Sequence, residues 1–357
     1  MTDRQLVYEP RELLASGDYA EPLIAAGVRC HGGFDADGRY RSPRTLHRAP
    51  AIAAWQAQLA EAAAGDGDGL LDIPRSFVPP QFPNVAQAKL LLRNGVREPM
   101  VRVLTIISIV EGFGAMIRDV RVPDLAADVV EPVDGTALAH LAGGLFEAHA
   151  RDESGYRNEG GHKQMWEAAR DAALENPKIP SDVLMRLMGR RGQRGRSEPM
   201  FPQLGPRWER MIAMMAQVLV IEVFAESTFR WGIELLSDPE VSADPETAGR
   251  MVSYIQGDES PHVEYLRTAL SELCVRTIRT VDGKTVSGAT VVRGMLHRIL
   301  CQLTATRREE QREELRGGLA AAMQVAPNPP ALLEEFDALE SDWNPPETTG
   351  FEPVAEA

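Results

Sequence analysis

Gly257-Asp258-Glu259-Ser260-Pro261-His262 is the stretch on which the reading of this chain turns. Glu259 and His262 are three residues apart, which puts them on one face of a helix. The same face carries Val252, Ile255, Leu266, Leu270 and Leu273. It is an apolar stripe interrupted by an acid and an imidazole. A carboxylate on such a face is costly unless something compensates it. A metal ion does so, and it takes its ligands as the deprotonated acid and the neutral imidazole. A surface ion pair or a hydrogen-bonded core histidine would explain one such pair equally well, so its recurrence elsewhere in the chain is what counts.

The device recurs. Asn158-Glu159-Gly160-Gly161-His162 is a second Glu-x-x-His, followed by Trp166 and Ala169 as the first is followed by Leu266 and Ala269. Ile109-Val110-Glu111-Gly112-Phe113 resembles Val220-Ile221-Glu222-Val223-Phe224. The order is therefore Glu, Glu-x-x-His, Glu, Glu-x-x-His, an internal repeat. Each member falls in a stretch of helical periodicity. One begins at Glu98-Pro99 and ends by Arg121, ahead of Pro123. A second runs from Thr136 to about Leu174, interrupted by Gly143-Gly144, Gly155 and Gly160-Gly161, which predict a kink. A third spans Arg207 to Leu236, with Met211, Met215, Val218, Glu222, Glu226, Phe229 and Ile233 along one stripe. The fourth runs to about Leu273.

The two halves are not evenly spaced. Glu111 and Glu159 are 48 residues apart, whereas Glu222 and Glu259 are 37 apart. Arg151-Asp152-Glu153-Ser154-Gly155-Tyr156 also resembles the opening stretch, with Tyr156 in the place of His262. Glu153 and Glu147 therefore stand as alternatives to Glu159. Glu159 with His162 is the reading that preserves both ligand types.

In order and type these residues resemble the ferritin-like di-iron carboxylate proteins. In that superfamily two helices each give a Glu and two give Glu-x-x-His, all directed into a four-helix bundle. The resemblance implies an all-α chain: a ferritin-like four-helix bundle with extra N-terminal and C-terminal helical segments. It implies metal ligation by Glu111, Glu159, His162, Glu222, Glu259 and His262. Such a donor set suits iron or manganese rather than structural zinc. Two Fe ions, or a Mn/Fe pair, are the implied cofactors. The implied function is an O2-activating non-haem di-iron oxygenase or oxidase, acting on a small organic substrate with electrons from an external donor or reductase. A radical-generating oxidase of the ribonucleotide-reductase small-subunit type is the alternative, with Tyr156 and Tyr254 as radical candidates; so is a non-catalytic iron-binding or storage bundle. Glu226, one turn beyond Glu222, is the candidate catalytic acid. Phe113, Trp166, Phe224 and Met215 could line an apolar substrate pocket, or simply be core.

Outward from the repeat, the chain divides into an N-terminal extension (1–95), the bundle (96–275) and a C-terminal helix with an acidic, proline-rich tail (276–357). In the extension, Pro10-Arg11-Glu12-Leu13-Leu14 opens a short helix, Gly32 to Gly38 reads as turn, and Ala51 to Ala64 as helix. Cys30-His31 is a weak metal candidate. Val281 to Thr285 forms a tight turn, and Ala289 to Met323 one long amphipathic helix. With 357 residues and a net charge of −14, the chain is not built for nucleic acid or an anionic membrane. Its basic run, Arg186 to Arg196, reads as a solvated loop. Three scattered cysteines suggest no disulfide framework. The N-terminus has no signal-peptide pattern, and the longest apolar run, Val101 to Val110, is short for a membrane span. A cytoplasmic protein, with a homodimer as an option, is the expectation.

Overall fold

The computed structural model describes residues 5–25, 27–44, 46–63, 69–183, 199–340, 343, 344 and 346. The basic run at 186–196 and the tail beyond 346 lie outside the described residues. The chain is mostly helical. Its helices are α1 (Pro10–Leu13), α2 (Arg48–Ala63), α3 (Val85–Arg93), α4 (Glu98–Gly114), α5 (Leu125–Asp128), α6 (Phe146–Ser154) and α7 (His162–Ala173). They continue with α8 (Pro206–Leu236), α9 (Pro245–Asp258), α10 (Ser260–Cys274), α11 (Gly288–Cys301), α12 (Arg307–Ala322) and α13 (Pro329–Ala338). The expected turn near Val281 joins an antiparallel hairpin of β4 (Thr277–Arg279) and β5 (Thr285–Ser287).

The N-terminal region departs from an all-helical expectation. Glu21–Ala25 (β1), Val28–Phe34 (β2) and Tyr40–Arg41 (β3) form an antiparallel sheet in that order. Gly32 and Gly33, read as turn, are strand residues. They are glycine because a Cβ would meet the Tyr40 hydroxyl at one position and the Tyr19 ring at the other. The turn itself is confined to the residues after Phe34, where Asp35 accepts from the Asp37 and Arg39 amides.

Helices α4, α6 with α7, α8, and α9 with α10 pack against one another. The expected kink, and a second at Pro261 that was not expected, have local causes. Gly155 ends α6 at φ 80°, ψ 174°, a conformation essentially reserved for glycine. Pro261 lacks the amide that would carry α9 straight into α10, so the two helices meet at Glu259. The stripe around Glu259 is buried as read: Val252, Ile255, Leu266, Leu270 and Leu273 are all inaccessible.

Two apolar clusters form the core. One gathers α2, α11, the first half of α8 up to Val220 and α10 from Tyr265 onward. The other gathers α3, α4, α7, α9 up to Ile255 and α8 from Phe229 onward. The acids and imidazoles lie at the seam between them. Two stretches, Glu98–Asp119 and Pro206–Leu236, are long and apolar enough to cross a membrane by length and composition. A search for unbroken apolar runs overlooks them, because charged residues interrupt both. In each, 44% of the apolar window is buried inside the protein, and each directs one glutamate inward.

Candidate metal centre

The site grows from four helical segments. On α4, Glu111 is buried and its Oε1 accepts from the Trp166 indole at 3.2 Å. On α6, His149, Asp152 and Glu153 occupy one face at i, i+3 and i+4, each at most 1% exposed. On α8, Glu222 faces the same space. At the α9–α10 junction come Asp258, Glu259 and His262, all buried.

A further contributor arrives by a detour. Beyond Gly155 the chain makes a tight turn in which Tyr156 and Glu159 exchange backbone hydrogen bonds at 3.0 Å. His162 then enters as the first residue of α7. Strand β2 holds this turn in place: the Gly160 amide donates to Arg29 O at 2.8 Å, and the His31 amide to Gly160 O at 2.9 Å.

The two paired imidazoles are placed alike. His162 Nδ1 lies 2.8 Å from Glu259 Oε1 and 3.3 Å from Glu153 Oε1. His262 Nδ1 lies 2.7 Å from Glu259 Oε2 and 3.2 Å from Glu153 Oε1. Their far nitrogens each meet an aspartate from the other half of the repeat. His262 Nε2 is 3.0 Å from Asp152 Oδ2, and His162 Nε2 is 3.4 Å from Asp258 Oδ2. The aspartates are backed differently. Arg44 and Arg48 each place a guanidinium nitrogen 2.5 Å from Asp152. Tyr40 donates its hydroxyl to Asp258 Oδ2 at 2.7 Å, with His31 Nε2 at 3.6 Å.

Of the residues read from the sequence, Glu111, His162, Glu222, Glu259 and His262 come together. Glu159 does not. The break at Gly155 takes it off the helix, and its carboxylate, 35% exposed, faces Arg29 at 3.6 Å. Glu153 stands in the cluster instead, so the position combines the glutamate of one register with the histidine of the other. Tyr156, the would-be counterpart of His262, lies beneath the Arg151 guanidinium. Glu147 pairs with Arg151 and Arg118 away from the centre. Glu226 sits one turn from Glu222 but is 40% exposed, between Arg75 and Arg230. Trp166 and Met215 are core; Phe113 and Phe224 are half-buried. Tyr254 stacks on Tyr40 with ring centres 4.5 Å apart.

Sequence reasoning missed His149, both aspartates, and the layer supplied by Tyr40, Arg44 and Arg48; His31, read with Cys30 as a weak metal candidate, brings a donor atom within 4.8 Å of those of His162 and Asp258. The aspartates had a signal: Asp-Glu-Ser occurs at 152–154 and again at 258–260. The N-terminal residues had none, because their role depends on where the sheet docks.

Comparison with protein-family models, with curated proteins and with solved structures finds no match. The reading of the site therefore rests on its own chemistry.

That chemistry fits a bound cation. Buried polar atoms are nearly always hydrogen-bonded. Here His149 Nε2, Glu153 Oε2 and Glu259 Oε1 have no hydrogen-bond partner among the described residues. Glu259 Oε1 is 2.8 Å from His162 Nδ1 yet makes no hydrogen bond to it. Lone pairs that crowd without aligning on each other are converging on a third point. His149, Glu153, Glu222 and His262 form one group whose donor atoms lie within 4.8 Å of one another; Glu153, His162, Glu259 and His262 form another.

Without a cation, the cluster's own protons carry the compensation. Burial, reinforced by Glu153 and Glu259, holds the Glu111 and Glu222 carboxyls well above the usual range. Burial alone would lower the His162 and His262 imidazoles, but Glu259 and its neighbours outweigh it and raise them. Burial likewise opposes ionisation of Asp152, yet Arg48 and Arg44 hold it well below its ordinary value.

Proposed function

We propose that the chain is a ferritin-like four-helix bundle holding two divalent redox metal ions, and that it is an O2-activating oxidase or oxygenase of a small organic substrate. The observation that carries this is the set of buried glutamate and histidine donors, several of them unpartnered, that converge from α6, α7, α8 and the α9–α10 junction. Glu111, Glu153, Glu222 and Glu259, with His162 and His262, would hold the ions. By count, the two positive charges of Arg44 and Arg48, both held against Asp152, equal the negative charges of Asp152 and Asp258, which leaves the charge of the four glutamates to be balanced by two divalent cations.

Held by these residues, iron or manganese would supply one-electron redox chemistry towards O2, with an external donor as the source of electrons. The chain's own residues do the rest. Asp152 and Asp258 fix the tautomer and orientation of the two imidazoles, as outer partners of metal-bound histidines do. Glu226, one turn along α8 from Glu222 and partly exposed, would be the group that relays protons from solvent. The two apolar clusters exclude water from the remaining directions.

The test is metal analysis followed by oxygen uptake. Protein loaded anaerobically with Fe(II) should bind about two ions per chain, and should consume O2 on addition of a chemical reductant and catalytic mediator. Failure to take up iron would sink the whole reading. Uptake of iron without O2 consumption would leave a metal-binding protein and remove the enzyme.

A further inference from the structure

We infer that His149 is a third imidazole ligand, so that the two cation positions are unequal. This rests on the dinuclear reading above and assigns a residue that the ferritin-like pattern does not contain.

His149 is wholly buried on α6, one turn before Glu153. Its Nδ1 is 3.2 Å from the Tyr265 hydroxyl. Its Nε2 lies 3.2 Å from Glu222 Oε1 and 3.8 Å from Glu153 Oε1, with no hydrogen-bond partner among the described residues. The ring stacks on His262 with centres 4.0 Å apart and planes 16° from parallel. A buried neutral imidazole has one N–H and one lone pair to satisfy. With the Nδ1 proton donated to Tyr265 Oη, the Nε2 lone pair points into the space shared by Glu222, Glu153 and His262. A hydrogen-bonded core histidine would instead direct an Nε2 proton along the line to Glu222, and that alignment is missing. The same four residues bring their donor atoms within 4.8 Å of one another.

The consequence is asymmetry. One position has His149 and His262 beside Glu222. The other has His162 beside Glu259 and Glu111; His262, whose donor atoms belong to both groups, is counted with the first because its ring stacks on His149. Glu153 reaches towards both. The nitrogen-rich position carries less negative charge and favours later, more nitrogen-seeking divalent ions than the carboxylate-rich one. The outer layers differ in the same sense: two arginines stand behind the Asp152 that orients His262, and a phenol and an imidazole behind the Asp258 that faces His162.

The experiment is an anaerobic Co(II) titration of the full-length protein, read by visible absorption and by bound metal per chain. Wild type should fill in two distinguishable steps. His149→Ala should lose one step, and added imidazole should restore it, an effect that loss of packing alone would not give. His149→Gln, which retains a polar group opposite Tyr265, carries the test if the alanine variant loses its helical circular dichroism. A variant that fills both positions on the wild-type curve overturns the role of His149 and leaves the dinuclear reading standing. So does a loss that imidazole fails to restore. Wild-type protein that takes up fewer than two Co(II) overturns both.

Discussion

At the scale of residues, the centre separates groups that spacing reveals from groups that only tertiary structure brings in. Glu259 and His262 were legible because three residues of helix turn two side chains to one face, and the apolar residues around them marked that face as inward. Glu159 misled for the same reason. The spacing rule presumes an unbroken helix, and Gly155 removes Glu159 from it. The variants that settle this pair are Glu153→Ala and Glu159→Ala. Glu153 stands 3.2–3.3 Å from both His262 and His162. Its removal should cost more than the roughly 10–100-fold that losing an outer partner costs in metal affinity. Glu159→Ala should bind like wild type, since the partner its carboxylate has among the described residues is Arg29, at the surface and away from the cluster. Metal content measured beside far-UV circular dichroism decides it, and the reverse pattern would return the ligand to Glu159.

At the scale of elements, the break between α6 and α7 is what allows one segment to deliver Glu153 from its end and His162 from the start of the next. The glycine cluster predicted an interruption, but not where the chain would resume. That depended on the pairing of Gly160 with strand β2, and nothing in a local window of sequence encodes it. Gly155 is the sensitive point. Its backbone conformation strains any other residue by about 1–3 kcal/mol, and a Cβ there would also run into the Glu159 carbonyl. Gly155→Ala should therefore lower the unfolding free energy by at least that amount and weaken metal binding with it. Gly143→Ala is the comparison: φ is also positive, at 71°, but nothing lies within 4 Å of the added carbon. It should cost stability, read by urea unfolding, while keeping wild-type metal content. Equal metal loss in both variants would mean that the break does not position the ligands.

At the scale of the whole molecule, the helical class and the seam between two apolar clusters follow from periodicity that anyone can count. The docking of residues 5–63 does not, because it is held by single long-range contacts. His140 is one anchor. Its Nε2 accepts from the Tyr8 amide at 2.9 Å, and its Nδ1 donates to Thr136 O at 2.6 Å. Trp55 of α2 lies over the ring at 4.7 Å, His47 and Glu12 flank Tyr8, and Glu272 accepts from Ala137 and Leu138 next to it. Burial lowers the His140 pKa, against the hydrogen bond to Thr136. The unfolded chain therefore takes up this proton first as pH falls. The stabilisation is complete above the ordinary imidazole value of about 6.5 and is lost below it. Hydrogen-exchange protection of the Tyr8 amide should fall between pH 7.5 and 5, and a His140→Gln variant should not share that slope. Protection that is flat or rises on acidification would rule out His140 as the anchor.

The placement of Tyr40 and Arg48 has a consequence for how the protein is made. Tyr40 meets Asp258 across 218 residues of sequence, and Arg48 meets Asp152 across 104. The ribosome delivers the outer layer of the centre first and its last helix much later. At roughly 5–20 residues per second, Tyr40 waits on the order of 10–40 s for its partner to appear. Contacts that close such long loops are slow to form and come late in folding. Two buried arginines and a buried phenol must stay unpaired or solvated in the meantime. A nascent chain therefore has no finished place for a metal ion until α10 has been synthesised and the N-terminal sheet has settled over it, so that metal capture reports a chain made at least through α10.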